Sequence, residues 1–228
     1  MRTVVLQSNY IPWRGYFQLI ARADTCFFYD DVQYTKNDWR NRNRILGPLG
    51  SEWITIPVGA NINRKIEEVL LPNNDWREKH HKRILANYKK AKGLESLIPL
   101  LDKLYLTDQS ETLSEYNQKS IKEISRSYLN LNAKFSKSTM YNLSGSGAAR
   151  LQDLLIQSRT TEYITGPAGL NYLSPLWFEK NEIKLTVFDY GNFPVYKQLF
   201  DYDEPNLSII DLLANVGNNA SAFFRGEN

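Results

Sequence analysis

Two short runs of β-branched and aliphatic residues, Thr3–Leu6 and Thr25–Tyr29, flank a single helical pattern near the N-terminus. The helical pattern covers Tyr16–Ala23, with Phe17, Leu19, Ile20 and Ala23 at helical spacing. Strand, loop, helix and strand within so few residues have the length of a βαβ unit, which predicts two parallel strands whose ends open on one side. Later segments extend the pattern. Trp53–Val58, Lys134–Ser138, Thr161–Thr165 and Ile183–Phe188 read as strands. Between them, Trp76–Lys92, Leu97–Tyr105 and Thr112–Leu129 read as helices, with Asn74 or Asp75 as a cap for the first and Gly93 as its stop. Further helices are predicted from the Ser144–Gly147 loop onward, over Leu173–Lys180 and over Ser208–Val216. Asp30–Arg44 shows no regular period. The prediction is one α/β domain over residues 1–228, an N-terminal parallel βαβ unit in a mixed sheet, with a mainly helical lobe at about 74–130.

Composition excludes several classes. Of the 228 residues, 42% are hydrophobic and 13% aromatic, so the chain as a whole is not disordered. A single cysteine, Cys26, excludes an internal disulfide framework and a multi-cysteine zinc site. The two histidines, His80 and His81, are adjacent, which excludes a centre built on separated histidines. A net charge of +3 is too small to imply nucleic acid but suits an anionic small molecule. No stretch approaches a membrane span, and the first residues lack the apolar core of a signal peptide. A cytoplasmic protein is expected.

The loop Gln7–Phe17 follows the first strand, where open α/β sheets bind ligands. Gln7, Asn9, Tyr10, Trp13 and Arg14 are candidates for holding an anion there, helped by the N-terminus of the following helix. A tight structural turn packed over Trp13 is the plain alternative. The second strand ends in Asp30-Asp31-Val32-Gln33-Tyr34. The paired carboxylates could hold a hydrated Mg²⁺ arriving with a ligand phosphate, bind sugar hydroxyls or serve as a base. They could equally cap a turn. No other cofactor and no protein-held metal are expected. Arg40, Arg42 and Arg44 alternate with Asn41 and Asn43, and in an extended chain they would share a face able to fork carboxylates or phosphates.

Collinear blocks resemble the WbqC-like family: Gln7–Phe17, Asp30–Tyr34, Asn41–Asn43, Ile54–Val58, Trp76 with Lys79 and His80, and Leu207–Leu213. Many relatives carry a histidine before the first glutamine; here Leu6 stands there, so a mechanism resting on that histidine does not apply. The resemblance implies a place in O-antigen and other surface-polysaccharide or secondary-metabolite biosynthesis. The resemblance supports the pathway and not a reaction; the polar, aromatic and cationic N-terminal blocks suit an anionic, hydroxyl-rich ligand, and the function expected is transfer of an acyl or aminoacyl group to an activated amino sugar, with a nucleotide sugar or acyl carrier as partner. A strand, a loop with proline, then glycine and a helix also resemble the opening of nucleotidyltransferases, without their histidine signature. A non-catalytic binding or scaffold subunit is a third possibility.

His80 falls on the apolar stripe Trp76, His80, Ile84, Tyr88 of a helix that is otherwise basic, with seven Lys or Arg against one Glu between Arg77 and Lys92. An imidazole there needs a partner for each nitrogen, or it becomes an acid–base group. His80 and Asp31 are the catalytic candidates. Gln7, Asn9, Asp31, Gln33, Arg42 and His80 are expected to line one cleft. Tyr196 and Gln198, near Asp189 and Tyr190, are further candidates for a sugar ring. The Ser144–Gly147 and Gly166–Gly169 segments could cradle a phosphate or simply cap their helices.

Overall fold

A computed structural model describes residues 1–191, 193–200, 202 and 204–224. In chain order it contains β1 (Arg2–Leu6), α1 (Arg14–Arg22), β2 (Thr25–Phe28), β3 (Arg42–Gly47), β4 (Gly50–Thr55), α2 (Trp76–Tyr88), α3 (Leu94–Asp102), α4 (Leu113–Glu123), β5 (Lys134–Lys137), α5 (Gly147–Gln157), β6 (Glu162–Thr165), α6 (Pro175–Lys180), β7 (Lys184–Val187) and α7 (Ile209–Val216). Five strands form one sheet in the order β5-β2-β1-β6-β7. Every pairing in it is parallel, with Val4 opposite Cys26 and Leu6 opposite Phe28 between β1 and β2. The expected βαβ unit is present. The antiparallel component of the expected mixed sheet lies apart, in a two-stranded hairpin of β3 and β4.

Within the parallel sheet the chain runs outward from β1 through β2 to β5, then returns to the other side of β1 for β6 and β7. This is the winding of a doubly wound α/β fold, with its switch point between β1 and β6. Both sheet faces are covered. Val4 joins the large cluster that includes Phe17 and Ile20 of α1, Ile45 of β3, Ile84 of α2, Leu101 of α3 and Ile210 of α7. Its neighbour Val5 packs on the second cluster, formed by Leu151 and Leu155 of α5, Tyr163 of β6 and Phe178 of α6. Successive strand residues point to opposite faces, so a strand buried on both sides needs an unbroken apolar run, as β1 has.

The helical segment contains α2, α3 and α4, the last two each continued by a wider turn at Lys103–Thr107 and Ile124–Tyr128. Thr112 caps α4 by accepting from the Glu115 N–H at 3.2 Å, and Ser208 caps α7 by accepting from the Ile210 N–H at 3.2 Å. For α2 the side chain that bonds the first helical N–H is Asn74, at 3.1 Å from Trp76 N.

Several boundaries differ from the sequence reading, three of them with a clear cause. The second strand of the hairpin starts at Gly50, not Trp53, because pairing resumes directly after Pro48-Leu49, with Gly47 opposite Gly50. The aperiodic stretch before it contains β3; its polar residues Arg42 and Arg44 lie on a half-exposed face, while Asn43 and Ile45 are buried. Helix α2 stops at Tyr88, and Gly93 opens α3. The Gly93 N–H reaches the Ala214 carbonyl at 2.8 Å, and a Cβ at Gly93 would sit 2.4 Å from the Gly217 backbone nitrogen. Its role is the close approach of α3 to the end of α7. Gly93→Ala is expected to lower stability by about 1–3 kcal/mol, the usual cost of overpacking. Urea denaturation of the two proteins measures it.

Candidate functional site

The loop after β1 is held through its backbone by side chains from other parts of the chain. Asp30 accepts from the Ser8 N–H at 2.8 Å through Oδ1, and from the Ser114 hydroxyl at 2.5 Å and Gln118 Nε2 at 2.8 Å through Oδ2. Asn117 Nδ2 donates to the carbonyls of Ser8 and Arg40. Asn43 Nδ2 donates to the carbonyls of Tyr10 at 3.1 Å and Ile11 at 2.9 Å, and the Ser208 hydroxyl donates to Ile11 at 2.7 Å. Ile11 is fully buried with φ of +36°, a region that a β-branched residue enters only when its surroundings force it. The clamp on its carbonyl from Asn43 and Ser208 supplies that force.

Tyr10 turns inward from this loop. Its hydroxyl lies 2.7 Å from His80 Nδ1 and 2.6 Å from the Tyr105 hydroxyl, in a cluster with Trp76 and Tyr116. Burial pushes the His80 imidazole down to about 4, against a small opposing effect of the Thr55 carbonyl. The ring is therefore neutral at pH 7. Its Nδ1 shares a hydrogen bond with the Tyr10 hydroxyl, which shares another with the Tyr105 hydroxyl. His81 contacts Asp102 at 2.8 Å through Nε2.

A cleft of about 790 Å³ opens beyond the carboxyl ends of β1, β2 and β6, at the switch point. From the first loop it takes Gln7, Asn9 and Trp13; after β2, Tyr29 and Gln33; from the end of β6 onward, Thr165, Gly166 and Gly169. Gly147 and Ala148, at the start of α5, border it, and Trp39, Tyr172 and Tyr190 add aromatic wall. The Trp13 indole lies so close over Gly15 that a Cβ there would be 2.3 Å from the ring, while Tyr190 packs on Trp13 at 5.0 Å between centroids. Arg40 is the only charged residue in this lining. It donates to Asn9 Oδ1, pairs with Asp38 at 3.4 Å, and has a buried Nε without a partner among the described residues. The Tyr29 hydroxyl is also buried without a partner there, and burial pushes its phenol up to about 12. Among the described residues the cleft thus offers one guanidinium, several amides and hydroxyls that stay protonated, and no carboxylate. Chemically, such a set is able to hydrogen-bond an anionic or hydroxyl-rich molecule.

Gln7, Asn9, Trp13 and Gln33 therefore meet in one cleft, but Asp31, Arg42 and His80 do not join them. His80 is drawn into the core by Tyr10 and Tyr105. Asp31 accepts from the Ser138 hydroxyl with Oδ1 and pairs with Arg150 through Oδ2. Burial alone would favour its neutral form, but these donors outweigh it and hold the carboxyl below its usual range. Every oxygen of Asp30 and Asp31 faces a protein donor. No group of three or more His, Cys, Asp or Glu suited to a metal occurs among the described residues.

The arginine row is divided. Arg40 turns to the cleft, Arg42 stacks on Trp53 at 4.3 Å, and Arg44 pairs with Glu204 at 3.5 Å. Asn41 donates to the Ile56 carbonyl at 2.8 Å. Arg14, Tyr196 and Gln198 border a separate depression of about 320 Å³. Arg14 donates to the Pro194 carbonyl at 2.7 Å, while the Tyr196 hydroxyl and Gln198 Nε2 both donate to buried Asp211. Ser144 is bound through its N–H and hydroxyl to Asp153 within α5 rather than left as a free cradle. The sequence reading missed Tyr29, Trp39 and Tyr172 in the cleft. Their only sequence signal is position, one to a few residues beyond a strand end or inside an aperiodic loop. Leu6 also lines the cleft.

A model of the WbqC-like protein family matches residues 7–223, nearly the whole length. The chain belongs to that family. Within the WbqC-like proteins it resembles an uncharacterised protein of Mycobacterium tuberculosis (strain ATCC 25618 / H37Rv), Rv1507c, at 41% identity over 226 residues, or 98% of this chain and 97% of the relative. No solved structure matches it. No helix in the described residues is long and apolar enough to cross a membrane.

His80 gives a pH test. Its folded value lies below the ordinary 6.5, so the unfolded chain binds the extra proton first as pH falls. The stability tied to neutral His80 is complete above pH 6.5 and is lost between 6.5 and about 4. Between pH 7.5 and 5 this group should cost about 2 kcal/mol. Urea unfolding at the two pH values should show that loss in the parent and a flatter dependence in His80→Gln. The second expected outcome concerns Asp30: Asp30→Ala, which strands three buried donors, should lower stability by about 3–5 kcal/mol in thermal or urea unfolding.

Proposed function

We propose that this WbqC-like protein is a transferase of surface-polysaccharide or secondary-metabolite biosynthesis, acting in the switch-point cleft on an anionic, hydroxyl-rich small molecule. The observation that carries the proposal is the cleft's chemistry: Arg40 as its single charge, with Gln7, Asn9 and Gln33 as amide ligands and tyrosine hydroxyls around them. Concavity at a switch point favours a bound metabolite over a flat scaffold surface. The substrate that best fits both the cleft and the family is a nucleotide-linked amino sugar, receiving an acyl or aminoacyl group from an activated donor.

Such a transfer suits a cleft with no histidine or carboxylate among its described lining residues. The acceptor amine supplies the nucleophile, so the protein's part is alignment and charge stabilisation. In this reading Arg40 holds the anionic group, the amides orient the sugar, and the protonated Tyr29 phenol donates toward developing negative charge. His80 and Asp31, proposed from the sequence as the catalytic pair, act here by bracing: His80 anchors Tyr10 of the loop, and Asp31 ties the end of β2 to Arg150 of α5. A nucleotidyl-transfer reading draws on one feature, the glycine-flanked start of α5 at the cleft.

Incubation with UDP-glucosamine and acetyl-coenzyme A, read by free-thiol release, tests the acyl-transfer proposal. Saturable thiol release is expected, and Arg40→Gln should raise KM about tenfold or more by removing a charge-assisted contact. Diphosphate release from a nucleoside triphosphate instead would favour nucleotidyl transfer. Failure of any nucleotide sugar to bind the parent protein would overturn the reading.

A further inference from the structure

Beside the main cleft lies a second pocket of about 330 Å³, and the two share Asn9, Trp13 and Trp39 as a common wall. Pro12, Arg44 and Asn206 border only the second one. Its walls are therefore two indoles and a proline, with amides at the rim. Trp39 is 42% exposed and Trp53, which packs behind it at 5.4 Å between centroids, is 47% exposed. Arg42 stacks on Trp53 in turn. This row of Arg42, Trp53 and Trp39 supports the outer indole from one side and leaves the other open. Large aromatic side chains so exposed and yet so well supported are suited to contact a ligand.

The polar groups narrow the ligand. Asn43 has its amide committed to the loop carbonyls. Asn9 has its oxygen taken by Arg40, which leaves its Nδ2 free. Asn206 is exposed and makes no hydrogen bond with the described residues. Arg44 is neutralised by Glu204 and also donates to Ser51. The pocket thus combines a flat apolar face with uncharged donors and acceptors around it. A neutral ring with an apolar face and an edge of hydroxyls fits both.

We propose that this side pocket is a second ligand subsite, taking a neutral pyranose ring against Trp39 with its hydroxyls on Asn9 and Asn206. The inference builds on the main cleft as a small-molecule site. It gives the protein two adjoining compartments, one for the anionic part of its ligands and one for an uncharged sugar, with Asn9 between them.

Saturation-transfer NMR with N-acetylglucosamine, with uridine and with uridine monophosphate tests this. N-acetylglucosamine ring protons should receive saturation from the parent protein. Its Kd should rise about three- to tenfold in Asn206→Ala, the effect of one lost hydrogen bond, and in Trp39→Ala. Asn206 is an exposed turn residue bordering this pocket alone, so its variant keeps the fold, which circular dichroism checks. Uridine monophosphate reports on the main cleft and should depend on Arg40. If it binds while the sugar shows no transfer, or if the sugar signal ignores both Asn206→Ala and Trp39→Ala, the side-pocket proposal is overturned alone. If uridine base protons rather than sugar protons respond to Trp39→Ala, it is likewise overturned, in favour of a base-stacking pocket. If the sugar binds and the nucleotide does not, this pocket stands and the reading of the main cleft falls.

Discussion

One buried carboxylate, Asp30, holds the strand end to the helical segment and thereby fixes the loop on which the cleft depends. It takes the Ser8 N–H on one oxygen and two donors of α4 on the other. A carboxylate this deep persists only because each oxygen is satisfied. The result is that Ser8 faces inward while its neighbours Gln7 and Asn9 face the cleft. Asn43 and Ser208 complete the frame by clamping the carbonyls of Tyr10 and Ile11, and Tyr10 reaches on to His80.

Most of the fold was legible because it rests on apolar periodicity. The run Thr3–Leu6, the helix through Phe17 and Ile20, and the strand from Thr25 are each dictated by local pattern, and their parallel pairing follows from the short connection between them. The hairpin's first strand escaped because Arg42 and Arg44 mask the alternation that Asn43 and Ile45 carry. The end of α2 escaped because Gly93 is needed for a contact with Gly217, which is distant in sequence.

The site was legible in part, and the division has a physical basis. Residues immediately past a strand end, such as Gln7, Asn9 and Gln33, are placed by topology alone. His80, Asp30, Asp31 and Asn43 have the same polar character in the sequence, yet they serve as internal ligands of the backbone or of one another. A polar side chain in a recognisable motif reads alike whether it faces a substrate or a carbonyl; only the packing separates the two. Much of the family's motif content thus describes a scaffold for one loop, and Asn9, Trp13 and the neighbouring Arg40 carry that scaffold out to the cleft.

The two sides of the cleft are supported very differently. The side after β1 and β2 is pinned by Asp30, Asn43, Asn117 and Ser208, which come from four separate parts of the chain. The side after β6 consists of a short glycine-containing turn, Pro167–Asn171, with exposed Tyr172 and the nearby Tyr190. Its exposed positions Ala168, Leu170 and Tyr172 belong to no buried polar network, whereas a Cβ at Gly166 or Gly169 would crowd Tyr190 or Thr165. Lineages sharing the rigid half can therefore diversify those exposed positions at little cost in folding, and ligand preference among relatives should track residues 168 and 172 more closely than the motifs that define the family.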